Sequence, residues 1–222
     1  AGEVDLTVHS LKDLPADIPE DLPLSAFSHR EDPRDVLVLP AGKEEIDMSL
    51  PVGTSSFRRA LQIKELLPGV ITAPIRGNVE TRLRKLDEGQ YSALVLAASG
   101  LKRLGLEGRI SRYFSPEEMI PASCQGVLGI QTRLGSETEL IKRINDRDSM
   151  NCAIAERAFV KAIGADCGSP DTAFAQVDGN QMIIMALRYD AERRKVLRDS
   201  ISGPASDAIA LGRELAYRML NK

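Results

Sequence analysis

The spacing of hydrophobic residues changes several times along the 222-residue chain, and each spacing predicts one kind of element. Residues 3–8 alternate between apolar and polar side chains, which predicts a strand, whereas apolar residues after Ser56 recur at helical spacing. The turn sequence Asp178-Gly179-Asn180 between two apolar runs is a strong hairpin signal. The predicted strands cover 3–8, 24–27, 36–39, 70–75, 93–98, 124–131, 172–177, 182–187 and 196–201, and predicted helices begin at Phe57 and cover 138–145, 151–163 and 206–220.

The order of these elements predicts two kinds of domain. Strands and helices alternate over residues 50–105, which is typical of a βαβ domain with a parallel sheet. After residue 148, a helix, three antiparallel strands and a closing helix predict a small α+β domain. The charged segment 29–35 has two open interpretations, a crossing between domains near residue 31 or a surface hairpin loop. The chain is expected to cross back near 116–131.

Arginines concentrate between residues 52 and 86. The small residues 53–56 lead into the helix that begins at Phe57, and hydroxyls and free N–H groups at such a start bind anions. The two basic clusters are Arg58 with Arg59, and Arg76 with Arg82 and Arg84. They are either solvated basic faces or guanidiniums that converge on several carboxylates, which arginine binds bidentately.

Charged pairs also follow two predicted strands. Lys12 and Asp13 come directly after the first strand, where open α/β sheets carry their chemistry. An Asp at such a place is equally suited to cap a helix or form a turn, and the spacing favours neither role. Lys102 and Arg103 follow the strand over 93–98 in the same way.

The composition argues against several classes of protein. The chain is 43% hydrophobic and 27% charged with a net charge of -3, which is usual for a globular protein and argues against nucleic acid as the main partner. Cys124, Cys152 and Cys167 are odd in number and lack metal-ligand spacing, so neither a disulfide framework nor a metal site is expected. Cys124 and Cys152 fall in a predicted strand and helix and are expected to be packing residues. No long apolar run or signal peptide is present, which predicts a cytoplasmic protein without membrane contact.

Seven blocks of sequence, in this order, resemble the porphobilinogen deaminase family, also called hydroxymethylbilane synthase. They are VHSLKDLP (8–15), REDPRD (30–35), VGTSSFRRA (52–60), IRGNVETRLRKL (75–86), SGLKRLGL (99–106), IPASCQGVLGI (120–130) and AERAF (155–159). The resemblance covers nearly the whole chain. It implies a transferase of tetrapyrrole (haem) biosynthesis that joins four porphobilinogen units into hydroxymethylbilane and releases ammonia.

The resemblance also implies a covalent dipyrromethane cofactor, held as a thioether by the cysteine that matches Cys167. Asp13 matches the catalytic aspartate, which stabilises the cation formed when a pyrrole loses ammonia. The residues that match cofactor-binding positions are Lys12, Asp13, Thr54, Ser55, Ser56, Arg58, Arg59 and Arg82, and those that match porphobilinogen-binding positions are Arg76 and Arg103. Two departures stand out: Ala165-Asp166 precedes Cys167 where the family has Gly-Gly, and Cys124 replaces a glycine. An Asp beside a thiol tends to raise the pKa of that thiol.

The family's fold implies an α/β protein with two periplasmic-binding-protein-like lobes and a small α+β C-terminal domain. On this map, domain 1 comprises 1–30 and 126–147, domain 2 comprises 31–125, and domain 3 comprises 148–222. Porphobilinogen is the expected small-molecule partner, and the protein is expected to be a monomer. A two-lobe module that binds a small anion without catalysis is the alternative.

A single predicted strand precedes Asp13, whereas a doubly wound lobe needs several strands to cover a sheet. The first lobe is therefore expected to be incomplete and to lack the N-terminal part of domain 1. On this expectation, the chain is a fragment that forms little tetrapyrrole by itself.

Overall fold

The computed structural model describes residues 3–136, 138–165 and 168–222 and shows a mixed α/β fold. The strands are β1 (Leu6–Ser10), β2 (Leu24–Phe27), β3 (Asp35–Val38), β4 (Val52–Gly53), β5 (Thr72–Ala73), β6 (Ala93–Ala97), β7 (Arg112–Tyr113), β8 (Leu128–Thr132), β9 (Thr172–Asp178), β10 (Gln181–Asp190) and β11 (Lys195–Pro204). The α-helices are α1 (Phe57–Leu66), α2 (Val79–Asp87), α3 (Ala98–Arg103), α4 (Glu139–Ile144), α5 (Arg147–Ile163) and α6 (Ala208–Leu220).

The chain divides into two compact units. Unit 1 contains the described residues of 1–31, 122–167 and 171–222, and unit 2 contains 32–121 with 168–170. None of the helices within the described residues combines the length and apolar character needed to cross a bilayer. The three-domain map with its boundaries at 30, 125 and 147 stays a prediction.

Unit 2 is built on a five-stranded sheet with the order β5-β4-β6-β3-β7. β4 runs parallel to β5 and β6, so β4-α1-β5-α2-β6 is the βαβ arrangement that the sequence predicted. Alternate residues of β6 bury on opposite faces: Leu94 packs with Leu83 of α2, whereas Val95 packs with Ile63 of α1. Because helices cover both faces, the carboxyl ends of the parallel strands are free to carry functional residues.

Unit 1 contains two antiparallel sheets of three strands, β1-β8-β2 and β11-β10-β9. α5 and α6 pack on the second sheet around the fully buried side chain of Phe159. The predicted hairpin at Gly179 and the predicted helix end at Gly164 are confirmed, with φ angles of 59° and 72°. α5 begins earlier than predicted because the side chain of Asp146 caps it by accepting a hydrogen bond from the Ser149 N–H at 2.8 Å.

The predicted strand over 124–131 is wrong in its first half, because β8 begins only at Leu128. The preceding residues form a turn in which Cys124 and Gly126 adopt left-handed φ angles of 62° and 87°. A Cβ on Gly126 would lie 2.3 Å from the Glu31 carbonyl oxygen, so this close approach requires glycine. The two positive φ angles make this turn incompatible with a strand.

The first predicted strand is displaced along the chain. β1 covers Leu6–Ser10, so His9 and Ser10 stay in the ladder opposite Gly129 and Leu128 of β8. The polar side chains of His9 and Ser10 do not end the strand, because the backbone of both residues still pairs with β8. A short 3-10 helix, Leu11–Asp13, follows at once, and the buried side chain of Leu11 anchors it.

Candidate functional site

Hydroxyl residues organise the carboxyl end of β4. The Ser55 hydroxyl donates to the Ile75 carbonyl at 2.7 Å and accepts from the Ile75 N–H at 3.0 Å, which fixes the two adjacent strand ends. The Thr54 hydroxyl accepts from the Ser56 N–H at 3.2 Å, and Ser56 caps α1. These hydrogen bonds hold the start of α1 in a defined position at the edge of the sheet.

Arg58 and Arg59 in the first turn of α1 converge on one buried carboxylate, that of Asp35. Arg58 Nη1 lies 2.6 Å from Asp35 Oδ2, and Arg59 approaches Oδ1 through Nη2 at 2.7 Å and Nε at 3.0 Å. Asp35 is fully buried, and the two arginines are only 5% and 9% exposed. The carboxylate thus counters the unfavourable effect of two cations at a helix N-terminus.

Both guanidiniums of this cluster act on the pKa of Asp35. Burial by itself disfavours the Asp35 anion, but the two guanidiniums outweigh it and hold the pKa of Asp35 well below its usual range. Burial is the main cause that lowers the pKa of Arg58, and the neighbouring Arg59 adds to it. Among the described residues, two guanidiniums face the one carboxylate of Asp35. Arg58 Nε and Nη2 have no hydrogen-bond partner among the described residues and can supply the contact to an anionic ligand.

Arg82 of α2 lies within electrostatic range of this cluster. Burial lowers the pKa of Arg82, and the positive charge of Arg59 lowers it further. Its Nε donates to the Gly77 carbonyl at 2.8 Å, which directs the side chain along the start of α2. Arg76 and Arg103 are exposed, and within the described part of the chain neither side chain has a partner. The structure therefore brings Arg58 and Arg59 together and places Arg82 within electrostatic range of Arg59, and it shows Arg76 and Arg103 as exposed cations without a partner among the described residues.

Lys12 and Asp13 lie in the 3-10 helix that follows β1 in unit 1. The Leu11 N–H donates to the Val127 carbonyl at 3.0 Å, and Lys12 Nζ donates to Gln125 Oε1 at 3.4 Å. Asp13 is exposed, and its carboxylate has no hydrogen bond or ion pair with any described residue. A carboxylate held on an anchored turn without a partner is available to a cationic substrate.

A second buried ion pair, Arg30 with Glu156, was not singled out from the sequence. Arg30 binds Glu156 bidentately, with Nη1–Oε1 at 2.9 Å and Nη2–Oε2 at 2.8 Å. Glu156 also accepts from the N–H groups of Cys124 and Ala175. This pair fixes the turn before β8 against α5 and β9, so its role is structural. A lone Glu on the apolar side of a predicted helix was the available signal.

The structure describes two of the three cysteines. Cys124 and Cys152 are buried and reduced, which confirms that they are packing residues, although Cys124 lies in a turn. Burial, and then the charge of Glu156, raises the pKa of Cys152 to about 12 and that of Cys124 further still. Both are unreactive at neutral pH. Cys167, the predicted cofactor cysteine, lies outside the described residues together with Asp166.

Unit 2 has a βαβ fold with arginines near its strand ends. These two features define the class as an α/β protein whose site is suited to binding small molecules with several carboxylates. Comparison with known families places the chain within this class. Residues 1–141 match the model of the porphobilinogen deaminase dipyrromethane cofactor binding domain, and residues 150–221 match that of the porphobilinogen deaminase C-terminal domain. The chain belongs to the porphobilinogen deaminase family.

Curated relatives agree with both family models. The chain is 48% identical to porphobilinogen deaminase of Acetivibrio thermocellus over 99% of its own length and 75% of the relative. It is 46% identical to the enzyme of Ruminiclostridium josui and 43% identical to that of Roseiflexus sp., each time over 74% of the relative. These relatives cover 98% and 100% of the chain. The predictions of a transferase of tetrapyrrole biosynthesis and of a dipyrromethane cofactor are confirmed.

Proposed function

We propose that this chain binds the carboxylates of dipyrromethane through Arg58, Arg59 and Arg82 and uses Asp13 as its catalytic carboxylate. Arg76 and Arg103 receive the acetate and propionate groups of the incoming porphobilinogen. Lys12 and the hydroxyls of Thr54, Ser55 and Ser56 position the cofactor. The observation that carries this proposal is that Arg58, fixed on the buried Asp35, keeps Nε and Nη2 without a hydrogen-bond partner among the described residues.

The residues of unit 2 suit a ligand that carries several carboxylates. Arg58 presents two nitrogens, Nε and Nη2, that have no partner among the described residues, and these two form the edge that binds a carboxylate bidentately. Arg82 is a further, partly buried cation, and the charge of Arg59 lowers its pKa. When bound, the cofactor supplies the pyrrole carbon onto which porphobilinogen units are added. The protein supplies fixed cations that need no rearrangement to receive acidic side chains.

Asp13 acts on a positive charge, because the reacting pyrrole becomes positively charged when ammonia leaves. An exposed carboxylate without a protein partner can lie beside the pyrrole nitrogens and stabilise this charge. It can also accept the proton that the pyrrole carbon loses once the new carbon–carbon bond has formed. The adjacent Lys12 is held by Gln125, which keeps its ammonium at a fixed place beside this turn.

The remaining parts of the proposal rest on the family. Cys167 is the proposed thioether residue, since Cys124 and Cys152 are both buried. The family also supports two periplasmic-binding-protein-like lobes followed by a small α+β domain, and a monomeric cytoplasmic enzyme that takes porphobilinogen as its substrate.

The proposal is tested by comparing Arg58→Lys with Arg84→Lys. Lysine at position 58 keeps the charge and can still pair with Asp35, but it loses the forked edge that binds a carboxylate. We expect at least a tenfold loss of cofactor-loaded protein. Arg84 is exposed and carries the control, because its replacement changes no contact of the cluster. Intact mass and peptide mapping measure the dipyrromethane on Cys167.

Full loading and full bilane formation by Arg58→Lys would contradict the assignment of the arginine cluster. Dipyrromethane attached to Cys124 or Cys152 would contradict the assignment of Cys167. A melting temperature measured on each variant separates loss of cofactor from loss of fold.

A further inference from the structure

The side chain of Gln62 holds the backbone of Ile120 within unit 2. Gln62 lies in α1 and is fully buried, whereas Ile120 belongs to neither a helix nor a strand. Gln62 Oε1 accepts from the Ile120 N–H at 2.8 Å, and Gln62 Nε2 donates to the Ile120 carbonyl at 3.1 Å. One side-chain amide therefore binds both backbone groups of Ile120 and fixes where its carbonyl lies.

The same carbonyl contacts the arginine cluster. Arg58 Nη1 donates to the Ile120 carbonyl at 2.6 Å and to Asp35 Oδ2 at 2.6 Å. The two acceptors use both N–H groups of Nη1, and together they fix the plane of the guanidinium. The direction of the Nε–Nη2 edge, which has no hydrogen-bond partner among the described residues, therefore depends on the position of the Ile120 carbonyl.

The geometry of α1 allows both side chains to reach this carbonyl. Arg58 and Gln62 lie four residues apart in the helix and thus on the same face, one turn apart. A single hydrogen bond from Nη1 to Asp35 would leave the Arg58 guanidinium able to turn about that bond. Arg59 is held differently, because its Nε and Nη2 both donate to Asp35 and its Nη1 donates to the Val95 carbonyl at 3.4 Å.

We infer that Gln62 is a positioning residue for cofactor binding, which acts by holding the Ile120 carbonyl and, through it, the carboxylate-binding edge of Arg58. This role rests on the proposed function of Arg58, and Gln62 itself needs no contact with dipyrromethane. A side chain that is ordered before the ligand arrives loses no freedom on binding. Ordering one long side chain at that moment would weaken binding by about 2–10-fold.

Gln62→Met tests this role, because methionine has a similar length but makes neither hydrogen bond. We expect about 2–10-fold less cofactor-loaded protein, measured by intact mass and peptide mapping of Cys167. Gln90→Met, the same change at an exposed position of unit 2, should change nothing. In the Arg58→Lys background, Gln62→Met should cause no further loss, because the edge that Gln62 orients is already absent.

The Nε–Hε signals of the arginines in NMR spectra give a second measurement, which needs no cofactor. Gln62→Met should shift or broaden the signal of Arg58 and leave that of Arg59 in place. A residue that only stabilised the fold would lower the melting temperature without this selective change.

Gln62→Glu keeps the falsifying measurement available if Gln62→Met does not fold. Glutamate has the same shape and still accepts from the Ile120 N–H, but its ionised carboxylate cannot donate to the Ile120 carbonyl. The same selective change at Arg58 is expected.

Parent-like loading of Gln62→Met, or an unchanged Arg58 signal in the folded variants, would overturn the role of Gln62 and leave the proposed function standing. A further loss of loading caused by Gln62→Met in the Arg58→Lys background would also overturn it, because Gln62 would then act by another route. Full loading of Arg58→Lys alone would contradict the proposed function, and the role of Gln62 with it.

Discussion

Asp13 and Asp35 show that the same side chain serves opposite purposes in this protein. Asp13 is exposed on a short turn and has no partner among the described residues. Asp35 is fully buried between two guanidiniums. The exposed carboxylate is available to a substrate, whereas the buried carboxylate stabilises the fold. The proposed catalytic role belongs to the exposed one.

Asp13→Asn should remove the charge and leave the fold unchanged, because the carboxylate has no hydrogen bond or ion pair with any described residue. If the negative charge stabilises the reacting pyrrole, turnover should fall by about two to three orders of magnitude, the usual cost of losing a central electrostatic group. Asp21→Asn, another exposed residue of unit 1, is the matched control. Bilane formation in cofactor-loaded protein measures the effect. Near-normal turnover would show that Asp13 has no catalytic role.

The low pKa of Asp35 predicts how the stability of unit 2 depends on pH. A carboxyl whose folded pKa is depressed contributes stability above its unfolded pKa, about 3.9, and this contribution disappears as pH falls toward the folded value. Unit 2 should therefore lose stability below about pH 4. Asp35→Asn lacks this contribution and should show a weaker pH dependence there. Hydrogen exchange of α1 and β6 in acid measures the difference, and equal slopes would contradict it.

At the scale of elements, the turn before β8 depends on a glycine. Gly126→Ala forces a side chain into a left-handed residue and places its Cβ 2.3 Å from the Glu31 carbonyl oxygen. The strain alone costs about 1–2 kcal/mol, and the backbone must also move, so we expect a larger loss in unfolding free energy. Gly108→Ala meets no atom within 4 Å and should be nearly neutral. Urea unfolding of both variants is the measurement, and equal stabilities would contradict the prediction.

Patterns within single elements predicted much of the fold. α1 begins where its apolar spacing and the preceding hydroxyl residues predict, and the apolar run over 93–98 predicted β6. The site was harder to predict, because its contacts join residues that are distant in the chain. Nothing local shows that Asp35 receives Arg58 and Arg59, except that an Asp opens an otherwise apolar strand. The turn at Cys124 was not predicted, because the close approach of Gly126 to the Glu31 carbonyl requires its conformation and Glu31 is distant in the sequence.

At the scale of the molecule, each unit contains its own buried ion pair. Glu156→Gln removes the carboxylate that binds Arg30 in unit 1, and Asp35→Asn removes the carboxylate that Arg58 and Arg59 share in unit 2. Breaking a buried pair costs about 3–5 kcal/mol, so each variant should destabilise its own unit by this amount. Hydrogen exchange resolved by peptide should show faster exchange in α5 for the first variant and in α1 for the second. Glu44→Gln, at an exposed position, is the control.

Faster exchange of both units in either variant would show that the two units unfold together and that the pairs are not local.

The central position of β8 between β1 and β2 has a consequence for synthesis on the ribosome. β1 and β2 cannot pair with β8 until about 100 further residues have been translated, because β8 ends at Thr132. At about 5–20 residues per second, this delay lasts roughly 5–20 s. Nearly all of unit 2 lies in that interval as one continuous stretch and can fold first. The nascent segment that contains β1 and β2 is therefore exposed to chaperones and proteases for several seconds, while the arginine site is already assembled.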